Sequence, residues 1–522
     1  MAGFAPEVRH AVLSRNAYFA QVKALAAKGW AAWVAHSYAQ KVGRESFLQQ
    51  RTLKKLLAKG RHTAFGRDHR LGEVHSYEAF RQAVPVYSYE RLWERYLGRV
   101  WEGEPSVLWP GRPAYFAKTS GTTAGAKFLP ITPDSVPMHI RAARDTLLLY
   151  IARKGHADFV QGRWLFLSGS PALEKNPAGL WYGRLSGIVH HWVPAYLTRH
   201  RLPSWPVNCL EDWPQKVDAI LDEARELDLR LLSGIPPWVE GLLERLQERW
   251  NQPPTQVWPR LQLYVHGGVD FRLYEDRLRA LLPGVDFVET FPASEGFFAF
   301  QDTDDPKAGL RLIVDGGIFY EFVPLERAED PDPPRLPLWE VEVGRPYALL
   351  ITTNAGLWAY AIGDVVTFTS VRPYRLRVSG RVKNHLSAFG EHVIEAEVEA
   401  ALQAALRATG ARVREYTVGP YLGPEKPRHE WLLEVEAEPH NWQVFLTVLD
   451  QTLRQLNPYY EDLRRGAILA PPRLYRLPVG ASYAYLARLG KLGGQHKFPH
   501  LRSDRQLLEA LLPQAEPLPL PV

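Results

Sequence analysis

A single cysteine, Cys209, stands among 522 residues. That excludes an internal disulfide and any cysteine-built zinc site, and makes a reducing, cytoplasmic compartment the expected setting. Methionine is almost as scarce, at two residues. No apolar run approaches the roughly 20 residues a membrane span needs. The opening "MAGFAPEVRHAVLSRNAYF" lacks a long apolar core before a small-residue cleavage site, so neither a secretory leader nor a membrane partner is expected. A dominant charge is missing too. Against 57 acidic residues there are 63 basic ones, a net +6, and no basic block is interleaved with aromatics, so nucleic acid is not an expected partner. The weak positive bias favours anionic substrates. Apolar residues, by contrast, make up 46% of the chain, enough for a sizeable core. At about 100–200 residues per domain the length suggests three or four units.

Residues 15 to 60 carry apolar positions at helical spacing, ending at Gly60, a plausible cap. Thr132-Pro133 reads as a helix start before "VPMHIRAARDTLLLYIARKG". From Arg163 onward helices alternate with short buried-strand runs: "WLFLSG", "LRLLSGIP", "LQLYVHGG" and "VDFVETF". That alternation predicts an α/β fold with a mainly parallel sheet. Between Leu310 and Thr369 the texture turns to strands and turns with little helix, which predicts an antiparallel sheet or small barrel-like subdomain. The chain from about Gly380 returns to mixed α and β.

The least ordinary stretch is "AKTSGTTAGAKFLPIT", Ala117 to Thr132. A Walker loop would need Lys directly after its second glycine and then a helix. Here Lys127 follows Gly125 by two, and Pro130 opposes a helix. The loop is therefore expected to join two strands. It suits phosphate binding: Gly121 and Gly125 free backbone amides to form a nest, the hydroxyls of Thr119, Ser120, Thr122 and Thr123 donate, and Lys127 adds a cation. The alternative is a plain Gly/Thr hairpin. Two further stretches share the odd texture. "VETFPASEGFFAFQ" places Glu295 just past a buried strand, where open α/β sheets present ligands; it suits either Mg2+, which takes few protein carboxylates beside nucleotide oxygens, or a helix-capping role. "GLWAYAIGDVVTF" places Asp364 after Gly363, fit either to accept two ribose hydroxyls or to serve as an ordinary turn aspartate.

In this order, "TSGTTAGAK", "FPASEG", "YAIGD" and "SGRVKNHLSAFGE" resemble the motifs of the adenylate-forming superfamily of acyl ligases and luciferases. The closer resemblance is to its auxin-responsive (Gretchen Hagen) family of acyl-acid amido synthetases, in bacterial form. It is carried by "QQRTLKKLLAKGRHTAFGRDH", "SYEAFRQAVPVYSYERL", "GEPSVLWPGRPAYFAKTSGTT" and "GGQHKFPHL", and spans nearly the whole chain. Two positions depart from the family text: Pro499-His500 stands for Pro-Arg, and His266-Gly267-Gly268 for the Thr-Gly-Ser of plant members.

The resemblance implies ATP- and Mg2+-dependent activation of a small carboxylic acid as acyl-AMP, then transfer to the amine of an amino acid. An acyl-CoA ligase of the same superfamily and a non-catalytic adenylate-binding protein are the alternatives. It implies a large adenylate-forming domain, 1–386, a small mobile C-terminal α+β domain, 387–522, and a hinge at about 380–390. It assigns Ser120 to Lys127 to the β- and γ-phosphates. Gly267, Gly268, Phe291, Pro292, Ala293 and Ser294 border the adenine and α-phosphate. Glu295 takes Mg2+, Asp364 the ribose, and Arg381 the ribose or phosphate. Lys497 is the mobile cation of adenylation, with Lys491 as rival. Residues Trp181 to Leu197 either line the acyl pocket or pack as core. His190-His191 lacks a third metal ligand at useful spacing, and His266 is either a base for the amine or structural.

Overall fold

The computed structural model describes residues 6–119, 127–192, 198, 200–268, 271, 274–305, 307–328, 330–381, 385–386, 388–391, 393–489, 498–502 and 504–518, with backbone only for residues 6–21 and a few others. Among these residues most strands join one 12-stranded sheet. Its parallel half runs in the order β9 (Asp286–Ala293), β8 (Leu263–Gly267), β7 (Leu229–Ser233), β3 (Arg163–Phe166) and β6 (Arg201–Leu202). The expected strands and intervening helices are all present. Trp213–Ala224, Pro236–Trp250 and Glu275–Leu281 are the helices that lead from β6 to β7, from β7 to β8 and from β8 to β9.

Successive strand residues point to opposite faces, and both faces of this half are apolar. Leu165, Leu232, Tyr264 and Phe287 pack with the crossover helices on one side. Leu231, Leu263 and Val288 pack on the other against two helices, Pro6–Ala39 and Val136–Lys154. Coverage of both faces is what a parallel sheet requires.

The antiparallel half differs from expectation. β10 (Gly296–Phe300) turns back on β9 and carries the same sheet onward through β11 (Leu310–Leu312), β16 (Tyr374–Arg381), β15 (Tyr360–Val371), β14 (Pro346–Thr353), β12 (Ile318–Pro324) and β13 (Leu336–Pro337). No barrel forms among the described residues: the order is open, ending at β13 and β6. The reason is the tight β9–β10 hairpin, which sets β10 antiparallel beside β9 and extends the sheet rather than starting a new one.

A second sheet holds the order β2 (Lys127–Ile131), β1 (Tyr115–Thr119), β5 (Trp181–Gly183) and β4 (Glu174–Lys175). β2 is an edge strand, so the missing N–H of Pro130 leaves no ladder bond unmade. The following helix starts at Val136, later than Thr132-Pro133 suggests. Thr132 and Ser135 instead exchange hydrogen bonds in a turn, Ser135 N–H donating to Thr132 Oγ1 at 3.1 Å. Gly60 does end its helix, but the cap residue is Arg61. What requires glycine is Trp358: a Cβ on Gly60 would lie 2.3 Å from its ring.

Near the C-terminus, Arg412–Tyr421, Arg428–Ala437, Arg473–Leu477 and Glu516–Pro517 form a four-stranded sheet. Helices Glu395–Thr409 and Trp442–Leu456 bury Val398, Leu402, Phe445 and Leu449 against it. This part meets the large sheet's helices directly. Arg184 is ion-paired with Asp462, Gly466 lies flush on the Trp213 ring, and Tyr274 Oη donates to Ala388 O at 3.2 Å. No helix among the described residues is long and apolar enough to cross a membrane.

Candidate active site

The Gly/Thr-rich loop does connect two strands. β1 and β2 pair antiparallel with Thr119 opposite Lys127, so these two residues close the loop's base. Ser120, Gly121, Thr122, Thr123 and Gly125 lie outside the described residues. The base is anchored by Tyr89, whose hydroxyl accepts the Phe128 N–H at 2.9 Å and whose ring centre lies 5.2 Å from Lys127 Nζ. Burial pushes the Tyr89 phenol up to about 12, which keeps it neutral beside the lysine.

Gly267 ends β8 with Gly268 just past it, and Phe291, Pro292 and Ala293 end β9, its parallel neighbour. Both pairs therefore sit on the C-terminal edge of the parallel strands, where ligands bind in open α/β sheets. Gly267 faces Thr290 so closely that a Cβ would lie 2.2 Å from its carbonyl oxygen. Gly268 adopts φ 84°, open to glycine and costly for other residues. His266, one residue earlier, is buried at 3% exposure, its ring stacked 3.9 Å from Phe271. Burial depresses it to about 3, so the ring is neutral and apolar-packed. Its Nδ1 is buried without a hydrogen-bond partner.

Ser294 and Glu295 form the two-residue turn between β9 and β10, bracketed by the Ala293–Gly296 pair. Glu295 thus stands on a hairpin, not at a helix start, and the capping alternative falls away. Close packing fixes the turn: a Cβ on Gly296 would lie 2.4 Å from Ile318 Cδ1. Glu295 lines a small cleft together with Tyr38, Ser135, His139, Arg141 and Asn354. No group of three His, Cys, Asp or Glu side chains that could hold a metal occurs among the described residues. A Mg2+ held there would take Glu295 and complete its shell with substrate oxygens and water, the habit of that ion.

Asp364 is 6% exposed and lies inside β15, not in a turn. The preceding Gly363, at φ 89°, supplies the local kink. Directly opposite in β16 stands Arg381. Lys497 and Lys491 lie outside the described residues. His500, where the family text has Arg, brings its Nε2 within 2.6 Å of Glu415 Oε1 and stacks 4.3 Å from the Tyr416 ring.

Two residues escaped the sequence reading. Tyr89 braces the loop from a short helix far upstream, with only "SYERL" as a signal. Asn354, just past β14, accepts Thr132 Oγ1–H at its carbonyl oxygen (2.7 Å) and donates from Nδ2 to Asp134 O (2.8 Å). It so fastens the strand after the loop to the cleft that holds Glu295.

Three domain models of one family match the chain in order: the GH3 family N-terminal domain over residues 43–235, its central domain over 311–381 and its C-terminal domain over 396–506. A probable indole-3-acetic acid-amido synthetase of Oryza sativa subsp. japonica is 24% identical, with 89% of each chain covered. An indole-3-acetic acid-amido synthetase of Arabidopsis thaliana is 22% identical over 89% of this chain and 91% of its own. In fold, a GH3.15 acyl acid amido synthetase in complex with 2,4-DB gives a TM-score of 0.59 at 16% identity, covering 94% of this chain and 96% of that one. A 2-hydroxyisobutyryl-CoA ligase gives 0.55 at 16% identity, covering 90% and 92%.

Proposed function

We propose, for a chain that belongs to the GH3 family, the reaction of an acyl-acid amido synthetase. ATP-dependent acyl-adenylation is followed by amide formation with an amino acid. The carrying observation is the ordered run of the three domain models along the chain.

In the first half-reaction a carboxylate oxygen bonds to the α-phosphorus of ATP, and the bond to pyrophosphate breaks. In the second, an amine attacks the acyl carbon, loses its proton, and AMP leaves. The carboxylate becomes a usable electrophile because AMP is a good leaving group. The protein's task is positioning and charge compensation.

The loop from Ser120 to Lys127 takes the β- and γ-phosphates. Gly267, Gly268 and Phe291 to Ser294 border the adenine and α-phosphate. Asp364 accepts the ribose hydroxyls, with Arg381 beside it across the strands. Glu295 would hold Mg2+, which would supply charge neutralisation on the phosphates. Lys497 bridges the attacking carboxylate and the nucleotide, with Lys491 as the alternative. The division at 1–386 and 387–522 places the hinge at about 380–390, which lets the small domain re-aim between half-reactions. The single thiol fits a reducing, cytoplasmic setting.

Exchange of labelled pyrophosphate into ATP, scanned over carboxylic acids, tests the first step. AMP release with amino acids or CoA as acceptor tests the second. No exchange with any acid would refute the adenylation reading, and faster release with CoA would make the chain a thioester-forming ligase.

A further inference from the structure

Beside the nucleotide positions, the parallel edge of the large sheet holds a cation without a counter-charge. Arg201 opens β6 in register with Trp164 of β3. Its guanidinium lies over Phe166, 4.8 Å from the ring centre, so the side chain reaches two residues along β3 toward the C-terminal edge. That reach is about 7 Å at strand rise. Its Nε and Nη1 are buried and make no hydrogen bond, and no carboxylate pairs with it among the described residues. The Nδ1 of His190, at the end of the Leu185–His190 helix, is likewise buried and unbonded. His190 feels the Arg201 charge and, with burial as the larger cause, is lowered to about 4, so it stays neutral near pH 7. The His190 ring packs 5.2 Å from Trp205, which is 45% exposed and forms a rim toward solvent.

Buried N–H donors on a half-buried cation are costly to leave without an acceptor. Each of these N–H groups is a charge-assisted donor that a carboxylate oxygen can satisfy. The helix bearing His190 follows β5, which pairs with β1, the strand that leads into the phosphate-candidate loop. β6 stands three strands from β8 in the same sheet, about 14 Å at strand spacing. That is within the span of an acyl-amino-acid product laid along the edge.

We propose that Arg201 and His190 form the recognition point for a substrate carboxylate that is not itself activated. The carboxylate is either the α-carboxylate of the acceptor amino acid or the distal group of a dicarboxylic acyl acid. This inference rests on the amide-forming reading for its substrates, while the site itself is testable without turnover.

Wild type and Arg201→Met are compared with two matched pairs: an accepted amino acid against its carboxamide, and an accepted dicarboxylic acid against its monomethyl ester in pyrophosphate exchange. The expected result is a KM at least ten-fold higher for the carboxylate member of one pair, within two-fold for its uncharged partner, and partial rescue in Arg201→Lys. Which pair responds identifies the source. Independently, 20 mM succinate should raise the Tm of wild type but not of Arg201→Met, and unliganded Arg201→Met should melt no lower than wild type, since it loses two unsatisfied buried donors. Equal KM changes within both pairs, or a succinate shift that survives in Arg201→Met, would overturn the site. An Arg201-dependent succinate shift in a protein that exchanges with no acid would uphold the site and sink the enzymatic reading instead.

Discussion

Asp364 and Arg381 are cross-strand partners in register on β15 and β16, although they come from separate sequence motifs. The pairing puts a buried carboxylate beside a cation-bearing position at the point where the chain leaves the antiparallel half of the sheet. In the proposed reading this carboxylate accepts the two ribose hydroxyls. Asp364→Ala is therefore expected to raise the KM for ATP in pyrophosphate exchange by about 10- to 100-fold, the worth of one or two hydrogen bonds to a charged group. The diagnostic comparison is 2′-deoxy-ATP. Wild type should discriminate against it, and Asp364→Ala should not. Retained discrimination in the variant would remove Asp364 from the ribose.

Glu295 sits on a two-residue turn fixed by Gly296 against Ile318, so its replacement removes a charge without opening a core. Glu295→Ala should lower exchange by about 100-fold or more, as loss of a preorganised charge in phosphoryl chemistry does. Its stability should stay within about 0.5 kcal/mol of wild type, as for a site away from the packed interior. A Mg2+ titration of exchange separates the causes. Partial recovery at high Mg2+ supports metal holding, and near-normal exchange at ordinary Mg2+ would refute it.

The parallel half of the sheet was legible because each of its strands announces itself locally. "LRLLSG" and "LYVHGG" are short apolar runs that stop at small residues, with helices of clear period between them. The hairpin at the Gly/Thr loop was legible because Pro130 forbids a helix and an edge strand tolerates it. The unbroken 12-stranded sheet was not. Its joint is the pairing of Leu310 with Leu376 and Arg311 with Arg375, contacts between distant segments that no local pattern encodes. Gly363-Asp364 fits a turn equally well on composition, and only the pairing of β15 with both neighbours places it mid-strand. Arg201 gave no signal either, and His190 stood out only within the aromatic Trp181 to Leu197 stretch and as half of a His pair, because an unsatisfied donor is a property of what surrounds it.

The antiparallel half is held by a buried ion pair. Glu321 on β12 takes both ends of the Arg335 guanidinium, at 2.8 Å from Nε and 2.8 Å from Nη2, with side chains 0% and 2% exposed. Arg335 also donates to Val84 O, tying the sheet to the N-terminal segment. Arg335→Met strands a buried carboxylate and should cost about 3–5 kcal/mol. Glu321→Leu with Arg335→Met should recover much of that loss, since no lone charge remains. Denaturant unfolding of the two single variants and the double variant gives the coupling. A double variant as unstable as the sum of the singles would mean the pair's worth lies in Arg335's other bonds.

Acid should destabilise the fold through histidines before carboxylates matter. His139 and His266 are buried, at 7% and 3% exposure, and burial lowers them to about 4 and, with the Arg279 charge as a lesser cause, about 3. In the unfolded chain each titrates near 6.5. Between those values the unfolded state binds the proton and the folded state does not, so stability rises with pH and is lost as pH falls below about 6.5. Each ring contributes a slope of at most about 1.4 kcal/mol per pH unit. From pH 6.5 to 5 that amounts to roughly 2 kcal/mol apiece. Urea midpoints at pH 7 and pH 5 should therefore draw apart in wild type, and His139→Gln should narrow the gap by about that amount, whatever it does to stability at pH 7. An unchanged gap in His139→Gln would show that His139 takes up its proton inside the folded protein.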